Sequence, residues 1–482
     1  MPLSNKKNNG SFNRRDFLKT GALSGLFLGG GFLQVSNSQD RKSATGDVKN
    51  VIFMVSDGMS IGTLTAADHM LRRNYGRASN WISLYEENRA NRGLMDMASA
   101  NSVVTGSASA ASSWGSGQRV VNGRVNMTEQ GEALKPILEI FQDAGRATGL
   151  ATTTNITHAT PSGFSVNVME RWDEQAIAAQ HVERGYDLLL GGGNRHIAAE
   201  HRDDGRDLYS EFANAGYHVA RNKQEMLQAG EHHKLLGVFY DGHLPYSLDH
   251  MNTDSYRREI PTLAEMTATA ISRLSQNRDG FILQVEGGRV DHAAHGNDAA
   301  GLIYDQIAFD DAIAEAVAFA ENRDDTLLII TTDHGNANPG LSGTGSGYND
   351  SEPMFDRIAD FQHTNNWMLS QLDENSSVND IRELIAENAS IEIRREEAEI
   401  LRQSLAGDYQ NLNRGMSGSS QVLGQIFANY LAFNWVSGSH TADYVELAAM
   451  GPGSERLQPI TRNTDLFHLM VEMAAVQEYQ DS

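Results

Sequence analysis

The 482-residue chain has no cysteine, only 9 prolines and 5 tryptophans, and no apolar run of the length that spans a bilayer. The missing cysteines exclude disulfides, thiolate metal ligands and a cysteine nucleophile. A membrane-crossing helix needs a stretch of about 18 or more apolar residues, so no ordinary membrane span is expected. Positive charge is scarce too. Thirty-nine Lys and Arg stand against 62 Asp and Glu, a formal net charge of −23. That balance argues against nucleic acid or an anionic membrane as the main partner. An anionic substrate then needs a local positive centre, which bound metal ions can supply.

What is present begins at the N-terminus. Asn13-Arg14-Arg15-Asp16-Phe17-Leu18-Lys19 is close to the twin-arginine export pattern, and a weakly hydrophobic, glycine-rich stretch follows from Thr20 to Val35. Residues 1–38 therefore read as a twin-arginine signal peptide, with small residues Ser36 and Ser38 suiting a cleavage near Ser38. The segment predicts export of an already folded protein, to the periplasm or outside a bacterial cell.

From about Val48 onward, short continuous apolar runs alternate with helical patterns. Val51–Ser56, Ala147–Thr154, Tyr186–Leu190, Phe281–Val285 and Thr326–Thr332 read as strands buried on both faces. Glu132–Asp143, Trp172–Glu183, Leu263–Leu274 and Asp298–Glu321 read as helices between them. The alternation predicts an α/β fold, doubly wound, with a mostly parallel central sheet and helices on both faces. The catalytic domain is expected over 47–475. A Gly/Ser-rich opening from Gly340 breaks the rhythm, and helical patterning, including Glu392–Leu405, marks 341–432 as an insertion before the last ligand segment, a lid or a contact surface. Strand pattern resumes at Tyr444–Met450.

Three of the apolar runs end in chemistry. Val51–Ser56 is followed by Asp57, the Phe281 strand runs into Glu286, and the Leu327 strand ends in Asp333-His334. In open α/β sheets ligands bind beyond the carboxyl ends of the strands. Unpaired buried carboxylates are costly, so packing does not account for these residues. Just past Glu286, Asp291 and His295 are spaced i and i+4, one turn apart on one face if the segment is helical. A carboxylate and an imidazole so placed can grip one metal ion, and mixed oxygen and nitrogen ligation suits Zn²⁺.

With these segments in view the chain resembles the alkaline phosphatases. The matching pieces are Val55-Ser-Asp57-Gly-Met59, Val104-Thr-Gly-Ser107-Ala, His158-Ala-Thr160-Pro161, Val285-Glu286-Gly, Asp291-His-Ala-Ala-His295, Thr332-Asp333-His334 and Ser439-His440-Thr441. The resemblance implies one zinc held by Asp291, His295 and His440, and a second held by Asp57, Asp333 and His334 near the Ser107 hydroxyl. It implies a third ion, usually magnesium, reached by Asp57, Thr160 and Glu286 with His158 nearby. Arg171, eleven residues after Thr160, stands where the family has its phosphate-clamping guanidinium, and His292 is expected beside it as a phosphate-binding group. The implied reaction is hydrolysis of small phosphate monoesters through a covalent phosphoserine on Ser107, and a homodimer is the implied assembly to look for.

The residue types suit that chemistry. Two metals about 4 Å apart can bind the entering and leaving oxygens of an in-line displacement. Serine is a weak nucleophile until it is activated. Arg171 can hold two phosphate oxygens with a bidentate fork that Lys lacks. Three positions depart from the well-known bacterial pattern. Gly106 replaces an Asp that steadies the arginine, so a more mobile Arg171 is expected. His158 and His292 replace an Asp and a Lys, as in the animal enzymes, which leaves the third site between magnesium and zinc. The alternatives are a phosphodiesterase of the same superfamily and a non-catalytic zinc- or phosphate-binding exported protein. His232, His233 and His243 are expected to be surface or loop residues.

Overall fold

In the computed structural model the described residues are 48–230, 234–344 and 348–476. The twin-arginine segment lies outside them, as do His232 and His233. Ten strands form one sheet: β1 Asn50–Val55, β2 Asn91–Asp96, β3 Ala147–Asn155, β4 Leu188–Gly192, β5 Tyr217–Ala220, β6 Lys234–Val238, β7 Phe281–Glu286, β8 Thr326–Thr331, β9 Val445–Met450 and β10 Ile460–Arg462. Their spatial order is β10-β2-β9-β8-β1-β7-β3-β4-β6-β5. β9 runs antiparallel to both its neighbours, β8 and β2, and every other pairing in the sheet is parallel. The expected α/β architecture is present.

The continuous apolar runs work as expected because successive side chains point to opposite faces. Ile52, Met54, Leu283, Val285, Leu328 and Ile330 enter one core. Val51, Phe53, Val55, Ile282, Leu327 and Ile329 enter the other. Each core is closed by helices, so no strand face at the centre meets water.

Seven helices matter for the site: α1 Ser107–Ser116, α2 Ala159–Ser165, α3 Glu174–Arg184, α4 Leu263–Leu274, α5 Arg289–His295, α6 Ala299–Ala320 and α7 Ser419–Leu431. The small-residue run of α1 is explained by its packing on α2. A Cβ added at Gly115 would lie 1.8 Å from the Gly163 carbonyl oxygen, so only glycine allows that approach. α4 carries a capping box, in which Thr262 and Glu265 satisfy each other's backbone N–H groups.

Several boundaries differ from the sequence reading. The helix expected over Glu132–Asp143 begins only at Ile137, since Pro136 is its extended N-cap residue and the chain before it pairs in short bridges. α3 starts at Glu174 because the Asp173 side chain caps it, which leaves Trp172 outside the helix. The helix expected from Glu392 begins at Arg395. β2, β5, β6 and β10 have no counterpart in the sequence reading; β2 and β5 are half-exposed strands without a long apolar run. Within 341–432 the described residues are mainly helical, and α7 turns back onto α5. Gln421 Nε2 donates to the His295 carbonyl at 2.7 Å and Ser420 Oγ to the Gly296 carbonyl at 2.7 Å.

Candidate metal centre

Parallel register brings the chemistry to one edge. Val55, Thr331 and Glu286 are level at the carboxyl ends of β1, β8 and β7, and Thr152 of β3 is level with Glu286. Asp57 and Asp333 lie two residues beyond their strands, and α5 leaves β7 across the same edge. A Cβ on Gly58 would fall 2.3 Å from Asp291 Oδ1, and this residue has φ +69°, so the turn after Asp57 demands glycine twice over.

Three groups of ligand atoms converge there: Asp291, His295 and His440; Asp57, Asp333 and His334; and Asp57, His158 and Glu286. In the first, His295 Nε2 lies 3.3 Å from Asp291 Oδ2, and His440 Nε2 lies 3.7 Å from Asp291 Oδ1. The helical i, i+4 spacing read from the sequence does place Asp291 and His295 on one site. In the second, His334 Nε2 is 3.1 Å from Asp333 Oδ2 and 3.5 Å from Asp57 Oδ1. In the third, His158 Nδ1 is 3.7 Å from Glu286 Oε1, and Thr160 Oγ1 meets Asp57 Oδ2 at 3.4 Å.

The donor set fits cations. Asp57, Asp333 and Glu286 each have one oxygen engaged by the protein and one that is not. Gly58 N–H donates to Asp333 Oδ1 at 2.9 Å, and the hydroxyls of Thr152 and Thr154 donate to Glu286 Oε2. Asp57 Oδ1, Asp333 Oδ2 and Glu286 Oε1 are buried with no hydrogen-bond partner. Buried unpaired carboxylate oxygens are expensive, and an ion in each group removes the cost. The first group is oriented by carbonyls. His295 Nδ1–H faces the Gly438 carbonyl at 2.8 Å and His440 Nδ1–H faces that of Thr105 at 2.8 Å, which aims both Nε2 lone pairs inward. Asn336 Nδ2 steadies Asp291 Oδ1 at 2.7 Å.

Titration follows from burial and charge. Burial, then the neighbouring Asp333, Asp291 and Glu286 carboxylates, push Asp57 well above its ordinary value. Burial also disfavours the Asp291 carboxylate, but His295, His334 and His440 outweigh it and hold this group well below the usual range. Four crowded carboxylates with no compensating cation are a poor arrangement for a folded protein, and a good one for metal ions.

Ser107 opens α1, with its Oγ 3.3 Å from His334 Nε2. Its backbone stands at a helix N-terminus, where N–H groups favour an anion. Arg171 reaches the same place: its Nη1 is 3.9 Å from the point a Gly106 Cβ would occupy. Gly106 offers no partner, yet Arg171 is not unrestrained. Its backbone N–H donates to Gly123 at 2.8 Å, its Nη2 donates to His158 Nε2 at 3.2 Å, and its guanidinium lies 4.4 Å from the centre of the Trp172 ring. Because a guanidinium has no lone pair, His158 Nε2 accepts this bond, which leaves Nδ1 as the ring atom facing Glu286.

His292 sits one layer behind. Its Nδ1 accepts from Arg289 Nη1 at 2.8 Å, and its ring packs 5.5 Å from His158. His243 is a loop residue, as expected, but it belongs to this cluster. Its ring packs 4.5 Å from His292 and 5.5 Å from His158, and its Nδ1 accepts the Asn155 N–H at 3.1 Å. A lone loop histidine carries no spacing signal. Thr152 and Thr154 were also missed, although alternate threonines ending a buried strand are a readable sign of a polar partner there.

A family model described as alkaline phosphatase matches residues 48–476. The chain is 30% identical over 459 residues to Alkaline phosphatase 4 of Bacillus subtilis (strain 168), covering 93% of this chain and 94% of that protein. It is 28% identical over 446 residues to Alkaline phosphatase 3 of the same strain, covering 91% and 92%. Among solved structures, the alkaline phosphatase of Thermus thermophilus superposes with a TM-score of 0.85 at 32% identity, covering 93% of this chain and 96% of that one.

Proposed function

The chain belongs to the alkaline phosphatase family, whose reaction is hydrolysis of phosphate monoesters, and we propose that here it runs through a covalent phosphoserine on Ser107. The observation that carries the reading is the place of Ser107 Oγ. It sits at a helix N-terminus, 3.3 Å from His334 of one ligand group, with the Arg171 guanidinium beside the same turn.

Asp291, His295 and His440 would hold one zinc, and Asp57, Asp333 and His334 a second. Asp57, Thr160 and Glu286, with His158 beside them, would hold magnesium or a third zinc. When bound, such ions supply Lewis acidity that activates the serine hydroxyl and offsets charge on the entering and leaving oxygens. Arg171 fixes two non-bridging phosphate oxygens, and the α1 N–H groups face the same charge. Ser107 Oγ forms a bond to phosphorus as the bond to the alcohol oxygen breaks, and the alcohol leaves with a proton. Water then attacks the phosphoserine, releasing inorganic phosphate and restoring the hydroxyl. His292, whose Nδ1 accepts from Arg289, would act on the phosphate from behind His158.

The test is turnover of an aryl phosphate by the metal-loaded protein, with and without chelator, followed by acid trapping and mass spectrometry of the phosphopeptide. Label on a residue other than Ser107 refutes the mechanism. Export by the twin-arginine route is proposed from Arg14 and Arg15 alone. Replacing both by Lys is expected to leave the precursor in the cytoplasm; unchanged export refutes the route.

A further inference from the structure

Trp172 is the one tryptophan of five that is exposed, at 73%. Trp81 and Trp114 are fully buried, and Trp367 and Trp435 are partly buried. A single exposed aromatic is ordinary on a protein surface, and what sets this one apart is its place against Arg171 at the edge of the site. One face of the indole is turned to the Arg171 guanidinium, 4.4 Å from the ring centre. The backbone holding it is pinned on both sides. Arg171 N–H donates to Gly123, Asp173 N–H donates to Glu170 at 3.0 Å, and the Asp173 carboxylate caps α3. The ring is thus a wet surface on a pinned backbone, lying against the guanidinium proposed to grip the phosphate.

We infer that Trp172 is a stacking platform for the alcohol half of the substrate. It favours phosphate monoesters whose alcohol carries a flat π-system a few bonds from phosphorus, with nucleoside 5′-monophosphates as the matching class. The inference rests on the phosphomonoesterase reading. Every base or aryl ring has a π-face that an indole can meet, so stacking selects the class without selecting one member. The exposed carboxylates Glu170 and Asp173 flank the ring and disfavour an alcohol half that is itself anionic.

A ring that only steadies Arg171 would affect every monoester alike, because all present the same phosphate to the guanidinium. The two roles separate with substrates that share the reacting group. Adenosine 5′-monophosphate and ribose 5-phosphate have the same phosphate on the same kind of carbon, and the base of the first is missing from the second. In the metal-loaded enzyme, Trp172→Leu is expected to lower the ratio of kcat/KM for the nucleotide over the sugar phosphate about tenfold, with Trp172→Phe restoring most of it. Equal losses on the two substrates, or an unchanged ratio, overturn the inference and leave the phosphatase reading intact. Failure of the unsubstituted enzyme to hydrolyse either ester overturns that reading and the inference with it.

Discussion

His295 and His440 point their Nε2 atoms at each other across 3.0 Å, while each ring spends its Nδ1–H on a backbone carbonyl. Two lone pairs that close repel unless a proton or a cation lies between them. With Asp291 beside both, the arrangement is built for a positive charge. Prolonged chelation is therefore expected to abolish turnover and lower the unfolding temperature, and added zinc to restore both. A protein that keeps full activity after its zinc content has fallen to zero, checked by elemental analysis, contradicts this.

Ser107→Ala is expected to cut kcat by several orders of magnitude with metal content nearly unchanged, because each zinc group retains three protein ligands. Residual water attack remains available. Parallel kinetics and metal analysis decide it: a variant that loses its metals as well would show Ser107 to be structural.

His158 meets Arg171 through one nitrogen and faces Glu286 with the other. Replacing it by Asp exchanges a nitrogen for oxygens, which magnesium prefers. His158→Asp should bind magnesium more tightly and depend more on added Mg²⁺, and it should also free Arg171, raising KM. Identical ion titrations for the two proteins would remove His158 from the third site.

Gln421→Ala is expected to cost about 1 kcal/mol through the lost bond to the His295 carbonyl. Since that carbonyl ends the helix carrying Asp291 and His295, zinc should also leave faster in the presence of a competing chelator. Urea unfolding with timed zinc release tests it. Lower stability with unaltered zinc release would limit the role of α7 to packing.

Burial pushes Asp305 up to about 7, with Arg289 and two bonds from Ser247 opposing and Asp249 adding to the rise. Between the ordinary 3.8 and about 7 the folded protein keeps a proton that the unfolded chain has released. Stability therefore falls as pH rises through that window, by up to ~1.4 kcal/mol per pH unit, and the cost is absent below it. Asp305→Asn keeps an acceptor for the Ser247 N–H and should flatten the profile, most visibly in urea melts compared at about pH 5 and about pH 8. Equal slopes for parent and variant would rule this group out.

Much of this site was legible because its ligands sit at strand ends. An apolar run that stops at Asp57, Glu286 or Asp333 announces both the strand and the edge, and Asp291 with His295 announces a helical turn. What stayed hidden depends on contacts between distant backbones. The carbonyls of Gly438 and Thr105 have no side-chain signature, and neither does the loop carrying His243. β9 reads as another strand, but its antiparallel direction is set by its neighbours β8 and β2. The start of α3 turned on one capping aspartate, and that small shift is what puts Trp172 in solvent.

The bond from His440 to the Thr105 carbonyl joins positions 335 residues apart. His440 lies in the last tenth of the described residues, whereas Asp57 directly follows the first strand. A nascent chain that has not yet emerged past His440 can form β1, β7 and β8, but its first ligand group is one imidazole short. Closing so long a loop is also slow compared with local structure. Competence to take up the full set of ions thus waits until residue 440 has been made, and a fragment released before it carries an incomplete centre.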